Sequence, residues 1–293
     1  MKPPPFQYHD PKTLAEAVGL LGTLDNAKLL AGGQSLMPML NMRFVQPDHV
    51  IDLNLVEGLS YIREANGALE IGAMTRQRDL EFSDLVKAKC PLMHEAIAHI
   101  GHRQTRNRGT IGGSLCHLDP SAELVSVAAA HDATVSVAGP NGAREIAFKD
   151  FPAGYLTPAI ELNEIVTAIR VPLWPAGHKS AFIEFARRHG DFAIVSAAAL
   201  LEINGGKITR ASVTVGGVAV APVRATEVET AITGQAPSTE LFAKACESCR
   251  SIDAMADIHA SADYRQHLAA VLSRRALEKA AGLADNAPWN RAH

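Results

Sequence analysis

The segment Arg106-Asn-Arg-Gly-Thr-Ile-Gly-Gly-Ser114 is the most informative stretch of this chain, because a related segment, Ala31-Gly-Gly-Gln-Ser35, occurs earlier. Each segment joins two adjacent glycines to a small hydroxyl residue. Glycine leaves no Cβ between main-chain amides and a bound anion, and seryl or threonyl hydroxyls can donate further hydrogen bonds. Together the two segments predict a cradle for the diphosphate of a nucleotide.

Adjacent glycines form ordinary turns more often than phosphate sites, and four such pairs begin at Gly32, Gly112, Gly205 and Gly216. A short apolar run, predicted as a buried strand, leads directly into Gly32, whereas Gly205 lies between two apolar runs as in a hairpin. The sequence contains no Gly-x-Gly-x-x-Gly, no P-loop and no Gly-x-Ser-x-Gly. These absences exclude the common Rossmann, P-loop and hydrolase motifs.

The composition is that of a globular protein with room for two domains: 293 residues, 47% hydrophobic, 20% charged, net charge −3. Basic residues are scattered except for Arg103, Arg106 and Arg108, so we expect no nucleic-acid surface and interpret these three as contacts to a small anion. No signal peptide and no long apolar run is found. We therefore expect a cytoplasmic protein without a transmembrane segment.

The four cysteines, Cys90, Cys116, Cys246 and Cys249, are typical of a reducing compartment. Cys246 and Cys249 form a Cys-x-x-Cys, but no second pair accompanies it, and a predicted helix over 240–252 would place both on one helix face. His117 and Asp119 lack a third ligand at a matching spacing. We predict no metal site in this chain.

The pattern of elements predicts an α+β architecture in both halves. Thr13-Leu-Ala-Glu16 predicts a capping box and a helix, and Asn66-Gly67 predicts a hairpin. Helices are expected over 79–99, in two or three pieces broken by Pro91, and over 121–130. Strands are expected over 28–31, 50–53, 133–137 and 165–171, and a domain boundary near Pro175. Beyond it we expect antiparallel strands over 181–186, 194–203 and 207–215, then helices over 225–232, 240–252 and 264–281.

Four ordered motifs carry a resemblance to a known family: the two glycine segments, Gly190-Asp-Phe-Ala193, and Tyr264-Arg-Gln-His-Leu268 with Arg274-Arg-Ala-Leu277. The chain resembles, over nearly its full length, the FAD-binding medium subunit of the molybdenum hydroxylases, the xanthine dehydrogenase and carbon monoxide dehydrogenase family. The resemblance implies a two-subdomain FAD-binding domain of the p-cresol methylhydroxylase (PCMH) and vanillyl-alcohol oxidase type over 1–175, divided at about 58. A small α+β domain of the carbon monoxide dehydrogenase flavoprotein type would follow over 176–285, with a tail over 286–293.

The resemblance also implies which residues contact FAD and that none is catalytic. Glu123 would contact FAD hydroxyls, and Asp191 and Phe192 would lie beside the isoalloxazine. The family often has a basic residue several positions before that last element, whereas this chain has Ile183 and Glu184 in the region. Ile100 and Ile160 either face the adenine or belong to the core. The predicted cofactor-binding residues are Leu30, Ala31, Gly32, Gly33, Gln34, Ser35, Leu36, Thr110, Ile111, Gly112, Gly113, Ser114, Glu123, Asp191 and Phe192.

The implied activity is electron transfer within an oxidoreductase complex. A large molybdopterin-binding subunit would oxidise the substrate, and a small [2Fe-2S] subunit would relay electrons to the FAD of this chain, in a dimer of heterotrimers. Gln34 stands where carbon monoxide dehydrogenases of the family usually have His, which favours an aromatic heterocycle, purine or alkaloid as substrate. Two alternatives stay open: a self-contained flavin oxidase and a non-enzymatic binding module.

Overall fold

The computed structural model describes residues 1–283, so the expected tail over 286–293 lies outside the described residues. The N-terminal part is a parallel three-stranded sheet of order β1-β3-β2. Thr13 Oγ1 accepts from the Glu16 amide and the Glu16 carboxylate accepts from the Thr13 amide, which confirms the predicted capping box. The elements are β1 (Gln7–His9), α1 (Leu14–Thr23), β2 (Ala27–Leu30), α2 (Leu36–Asn41) and β3 (His49–Asp52).

The next part is built on an antiparallel five-stranded sheet of order β4-β5-β10-β6-β7. Asn66 and Gly67 have φ of +49° and +72°, as a tight turn requires, so the predicted hairpin is confirmed. Strands are β4 (Ile62–Ala65), β5 (Ala68–Gly72), β6 (Thr134–Gly139), β7 (Gly142–Ala147), β8 (Pro152–Gly154), β9 (Thr157–Pro158) and β10 (Ile165–Pro172). Helices are α3 (Gln77–Glu81), α4 (Asp84–Lys89), α5 (Pro91–Ile97), α6 (Arg103–Arg108), α7 (Ile111–His117) and α8 (Glu123–Ala130).

The C-terminal part is an antiparallel four-stranded sheet covered by helices, and its first three strands confirm the predicted antiparallel set. The helix expected over 240–252 is shorter: it ends at Cys246, and a 3-10 turn carries Cys249. Both cysteines are buried in the core of this part. The elements are β11 (Lys179–Phe185), β12 (Val195–Asn204), β13 (Lys207–Gly216), β14 (Val223–Arg224), α9 (Thr226–Ile232), α10 (Thr239–Cys246) and α11 (Ala262–Ala280).

Helix α8 joins the last two parts. Phe182 and Leu200 of the C-terminal sheet belong to the same apolar cluster as the core of the five-stranded sheet. Ser212 Oγ donates to the Ala130 carbonyl at 2.7 Å, a buried bond from β13 to the end of α8. The first residue of α8, Glu123, therefore lies in a buried position between two sheets.

The second glycine segment differs from its predicted form. The sequence predicted a loop, and the structure has two short helices, α6 and α7, that meet at Gly109 and Thr110. Gly109 closes α6 by donating to the Thr105 carbonyl at 2.7 Å. Thr110 caps α7, since its Oγ1 accepts from the Gly113 amide at 3.0 Å. A threonine three residues before that amide is a helix start signal that the glycines obscured.

Candidate functional site

The structure brings the two glycine segments into direct contact. A Cβ added at Gly32 would lie 2.2 Å from the Arg108 carbonyl oxygen, so only glycine fits there. A Cβ added at Gly113 would lie 3.4 Å from the Ala31 Cβ. The segments, far apart in sequence, therefore form one continuous surface.

The first segment presents unused main-chain donors. None of the amides of Gly32, Gly33, Gln34 and Ser35 donates to an acceptor among residues 1–283. Gly33 has φ +75°, the left-handed conformation that turns the chain into α2, and the Ser35 side chain makes no capping bond. Successive free amides on a turn form a concavity suited to an anion such as a diphosphate. Leu30 ends β2 immediately before this turn, and Leu36 begins α2 after it.

In the second segment, the amides of Ile111–Ser114 donate hydrogen bonds to acceptors within the protein. Gly112 is close-packed as well: a Cβ there would lie 2.6 Å from the Ala73 Cβ. The expectation that the glycine amides of this segment are free to meet phosphate is therefore wrong for this structure, because each amide of Ile111–Ser114 has a protein acceptor. The bonds run from Ile111 to the Thr75 carbonyl (3.1 Å), Gly112 to the Ala73 carbonyl (2.8 Å), Gly113 to Thr110 Oγ1 (3.0 Å) and Ser114 to the Thr110 carbonyl (3.1 Å). The side chains of Thr110 and Ser114 stay candidate hydroxyl donors.

Arg76 is a residue beside the site that the sequence interpretation missed. Its guanidinium donates to the Arg108 carbonyl and to Asn54 Oδ1. Asn54 Nδ2 in turn donates to the Ala31 carbonyl at 3.0 Å, so Arg76 and Asn54 tie the two segments together. Burial lowers the pKa of Arg76, and the nearby positive charge of Arg108 lowers it further. An anion in the cradle would relieve that repulsion. No motif marked Arg76, because it acts through tertiary contacts only.

The interpretation of Arg106 as a contact to a small anion is wrong. Its guanidinium is buried and binds the Glu81 carboxylate through two bonds of 2.9 and 3.2 Å, with a third to the Ile100 carbonyl at 2.9 Å. Such a bidentate pair holds α6 against α3. Arg103 and Arg108 remain exposed.

The other predicted cofactor-binding residues are Glu123 and, in the turn before β12, Asp191 and Phe192. Glu123 is 6% exposed, and burial raises the pKa of its carboxyl to about 8, with smaller contributions from Glu184 and Asp119. Asp191 pairs with Arg188 at 3.1 Å, and Phe192 is 67% exposed. Ile100 lies in the core, and Ile160 packs against it.

Helix α6 relates this turn to the cradle. Gly190, at φ +87°, approaches the residue before α6, since a Cβ there would lie 2.7 Å from His102 Cε1. The far end of α6, at Arg108, contacts Gly32. Six residues of helix span roughly 9 Å. Helix α6 therefore connects the turn to the cradle.

The structure defines a protein of two sheet-and-helix units with a candidate diphosphate cradle, and comparison with known proteins gives its family. Residues 4–174 match the FAD binding domain in molybdopterin dehydrogenase, and residues 180–280 match the CO dehydrogenase flavoprotein C-terminal domain. The chain therefore belongs to the FAD-binding medium subunits of the molybdenum hydroxylase family, which confirms the resemblance and the predicted fold class. It is part of an oxidoreductase complex.

Three relatives illustrate the similarity. The 6-hydroxypseudooxynicotine dehydrogenase complex subunit alpha of Paenarthrobacter nicotinovorans is 39% identical over 96% of each chain. A chain of carbon monoxide dehydrogenase from Hydrogenophaga pseudoflava superimposes with TM-score 0.93 and 39% identity, covering 97% of this chain and 99% of that one. A chain of quinoline 2-oxidoreductase from Pseudomonas putida 86 has TM-score 0.93 and 34% identity, covering 97% and 99%. Within residues 1–283, no helix has the length and apolar character needed to cross a membrane.

Proposed function

We propose that this chain is the electron outlet of a molybdenum hydroxylase, holding FAD on the surface formed by the two glycine segments and the 190–192 turn. The observation that carries the proposal is the run of four free amides at Gly32–Ser35, which lies against the start of α7 and beside Arg76. When bound, FAD accepts and releases electrons singly or in pairs.

The protein's own residues bind and orient the cofactor. The amides of the first segment and the hydroxyls of Ser35, Thr110 and Ser114 would bind the diphosphate, with Arg76 adding positive charge. Glu123 would contact the hydroxyls of the FAD. Asp191 and the exposed ring of Phe192 would lie beside the isoalloxazine and cover part of it. The remaining predicted residues would shape the two segments: Leu30, Ala31, Gln34 and Leu36 in the first, and Ile111, Gly112 and Gly113 in the second.

We further propose that electrons reach this site from a small [2Fe-2S] subunit and leave to an external acceptor, with substrate oxidised on a separate large molybdopterin subunit. We propose a dimer of heterotrimers in the cytoplasm. We propose an aromatic heterocycle, purine or alkaloid as the substrate. The residue Gln34 supports this choice, and it agrees with relatives named for nicotine and caffeine. A carbon monoxide dehydrogenase medium chain is 39% identical, so identity alone does not distinguish the substrates.

The first test is the visible spectrum of the purified chain, alone and co-expressed with its neighbouring subunits, with the released cofactor identified after denaturation. We expect flavin bands with FAD released, and iron-sulfur absorbance only in the assembly. Reduction of the flavin by substrate in the isolated chain would favour a self-contained oxidase instead. A colourless chain in both preparations would overturn the proposal in favour of a binding module.

A second test addresses the 190–192 turn. Asp191→Asn should retain stoichiometric FAD and raise the reduction potential of the flavin, because a negative charge beside the ring is removed. The pairing with Arg188 is a surface contact, so folding should change little. Asp132→Asn, a surface carboxylate at the far end of α8, is the control. An unchanged potential in Asp191→Asn would place the ring elsewhere.

A further inference from the structure

A chain of hydrogen bonds leads from the edge strand β1 to the first glycine segment. Tyr8 Oη donates to Asp52 Oδ2 at 2.7 Å. The second oxygen of that carboxylate, Oδ1, accepts from the main-chain amide of Asn54 at 2.8 Å and from the Asn54 side-chain amide. Asn54 Nδ2 also donates to the Ala31 carbonyl at 3.0 Å, directly before Gly32. The side-chain nitrogen of Asn54 therefore has an acceptor for each of its two hydrogens.

These bonds fix the orientation of the Asn54 side-chain amide. Its nitrogen can only donate, and its oxygen can only accept. Because the nitrogen faces Asp52 and Ala31, the oxygen faces Arg76 and accepts from its guanidinium. In the flipped orientation, the amide oxygen would meet the Asp52 carboxylate and the amide donors would meet the guanidinium. One side chain thus joins the main chain of the first segment to a cation beside it.

Arg76 is attached to the second segment as well. Its main chain pairs with Thr110 in an antiparallel bridge, and its guanidinium donates to the Arg108 carbonyl. A Cβ added at Gly32 would lie 2.2 Å from that same carbonyl oxygen. The guanidinium therefore lies where the two segments meet, next to the free amides that begin at Gly32.

The charge of Arg76 is not paired with a carboxylate among residues 1–283. Both acceptors of its guanidinium are neutral, and Asp79 and Asp52 act on it through space only. The side chain is half-buried, and the positive charge of Arg108 is nearby. A partly buried charge without a counter-ion favours binding of an anion, and the planar guanidinium matches the oxygens of a phosphate.

We propose that Asn54 is a positioning residue that directs the Arg76 guanidinium at the cradle, and that Arg76 is the charged group by which the site recognises a diphosphate. The inference rests on the proposed function, in which that diphosphate belongs to FAD. Asn54 binds both the Ala31 carbonyl and Arg76, so the free amides and the charge keep a fixed relation to each other. Such a site is organised before its ligand arrives, which lowers the cost of binding.

Titration with two ligands tests the role of Arg76. FAD and ADP share the diphosphate, and only FAD carries the flavin. In the complete chain depleted of FAD, Arg76→Gln should weaken the binding of both ligands by a similar factor, about tenfold or more, because charge-assisted hydrogen bonds are lost. Added salt should then weaken binding less than it does in the native chain. Native ADP affinity in Arg76→Gln would overturn the contact to the diphosphate.

Two further variants serve as controls for this titration. Arg78→Gln removes an exposed charge that lies over the Phe82 ring, and it should bind both ligands like the native chain. Arg76→Lys keeps the charge, so the native salt dependence should remain. Its affinity should still be lower, because an ammonium lacks the planar fork of the guanidinium. Urea unfolding of each ligand-free variant shows whether it is folded.

A double-mutant cycle tests the positioning role of Asn54. Asn54→Ala should weaken ADP binding about tenfold in the native background and less than about threefold in Arg76→Gln, because most of its effect passes through the guanidinium. The remaining effect is the lost bond to Ala31. If Arg76→Gln does not fold, Arg76→Lys closes the cycle. A merely structural role of Asn54 would give the same factor in both backgrounds, and that result would overturn the inference.

The inference and the proposed function fail in different ways. A native chain that binds ADP but not FAD would overturn the proposed function, while the cycle measured with ADP would still decide whether Asn54 positions Arg76. Native FAD affinity in Arg76→Gln would overturn the inference and leave the proposed function intact. A native chain that binds neither ligand would overturn both.

Discussion

The two glycine segments have nearly the same composition and use it in opposite ways. In the first, the amides of Gly32–Ser35 have no acceptor among the described residues. In the second, the amides of Ile111–Ser114 are all satisfied within the protein, and Gly112 is needed because the Ala73 backbone lies where a Cβ would be. A pair of glycines in a sequence therefore indicates that another group approaches the main chain closely. It does not show whether that group belongs to a ligand or to another part of the chain.

Because of this difference, we expect substitutions in the two segments to change different properties, FAD affinity in one and stability in the other. The first segment offers main-chain donors, and the second offers a rigid helix start that contacts Ala31 and positions Ser114. A substitution in the second segment should act mainly on stability. One in the first should act mainly on FAD affinity, provided that the packing of Gly32 on Arg108 is left alone.

The largest effect is expected for Gly112→Ala. The added Cβ would lie 2.7 Å from the Ala73 carbonyl oxygen and 2.6 Å from its Cβ, so α7 must shift. We expect the free energy of unfolding of the FAD-binding domain to fall by about 1–3 kcal/mol, the usual cost of overpacking. Urea unfolding of the complete chain measures it. If the variant instead unfolds like the native chain and loses only FAD, the comparison between the segments is wrong.

Gly19→Ala is the matched control. Gly19 lies in α1, with nothing within 4 Å of the position of an added Cβ. The same methyl group should there raise the free energy of unfolding by up to about 1 kcal/mol, because alanine favours helix over glycine. Opposite signs in the two variants would show that the position, and not the loss of glycine, decides the outcome.

The next effect is expected for Ser35→Ala and Ser114→Ala, one hydroxyl from each segment. Neither side chain makes a hydrogen bond to another described residue. We expect each variant to bind FAD about tenfold more weakly, which corresponds to the lower end of the about 1.5–3 kcal/mol that a hydrogen bond to a charged group contributes. Isothermal titration of the FAD-depleted chain measures this, and unfolding should change by less than about 0.5 kcal/mol. The exposed Ser60 provides the control variant, Ser60→Ala. If both site variants bind FAD with native affinity, the two hydroxyls do not contact the diphosphate.

The elements that the sequence predicted correctly are those with local causes. Thr13 with Glu16 and Asn66 with Gly67 determine a helix start and a turn through contacts between near neighbours, so their patterns were sufficient. The α6–α7 pair was missed although Thr110 is a local helix start signal, because the adjacent glycines favoured a loop. The role assigned to Arg106 was wrong because its guanidinium is held by Glu81, 25 residues earlier in the chain. Arg76 was missed for the same reason. Tertiary contacts decide these positions, and no short motif describes them.

The smallest effect is expected for Gln34→Ala, which tests whether the first segment binds through its main chain. Gln34 is exposed, and its side chain makes no hydrogen bond with another described residue, whereas its amide is one of the four free donors. Alanine keeps the amide, so FAD affinity should change by less than about twofold, within about 0.5 kcal/mol. Titration alongside Ser35→Ala gives the contrast on adjacent residues. A tenfold loss in Gln34→Ala would mean that the side chain recognises the cofactor, and the free amides would then no longer distinguish the first segment from the second.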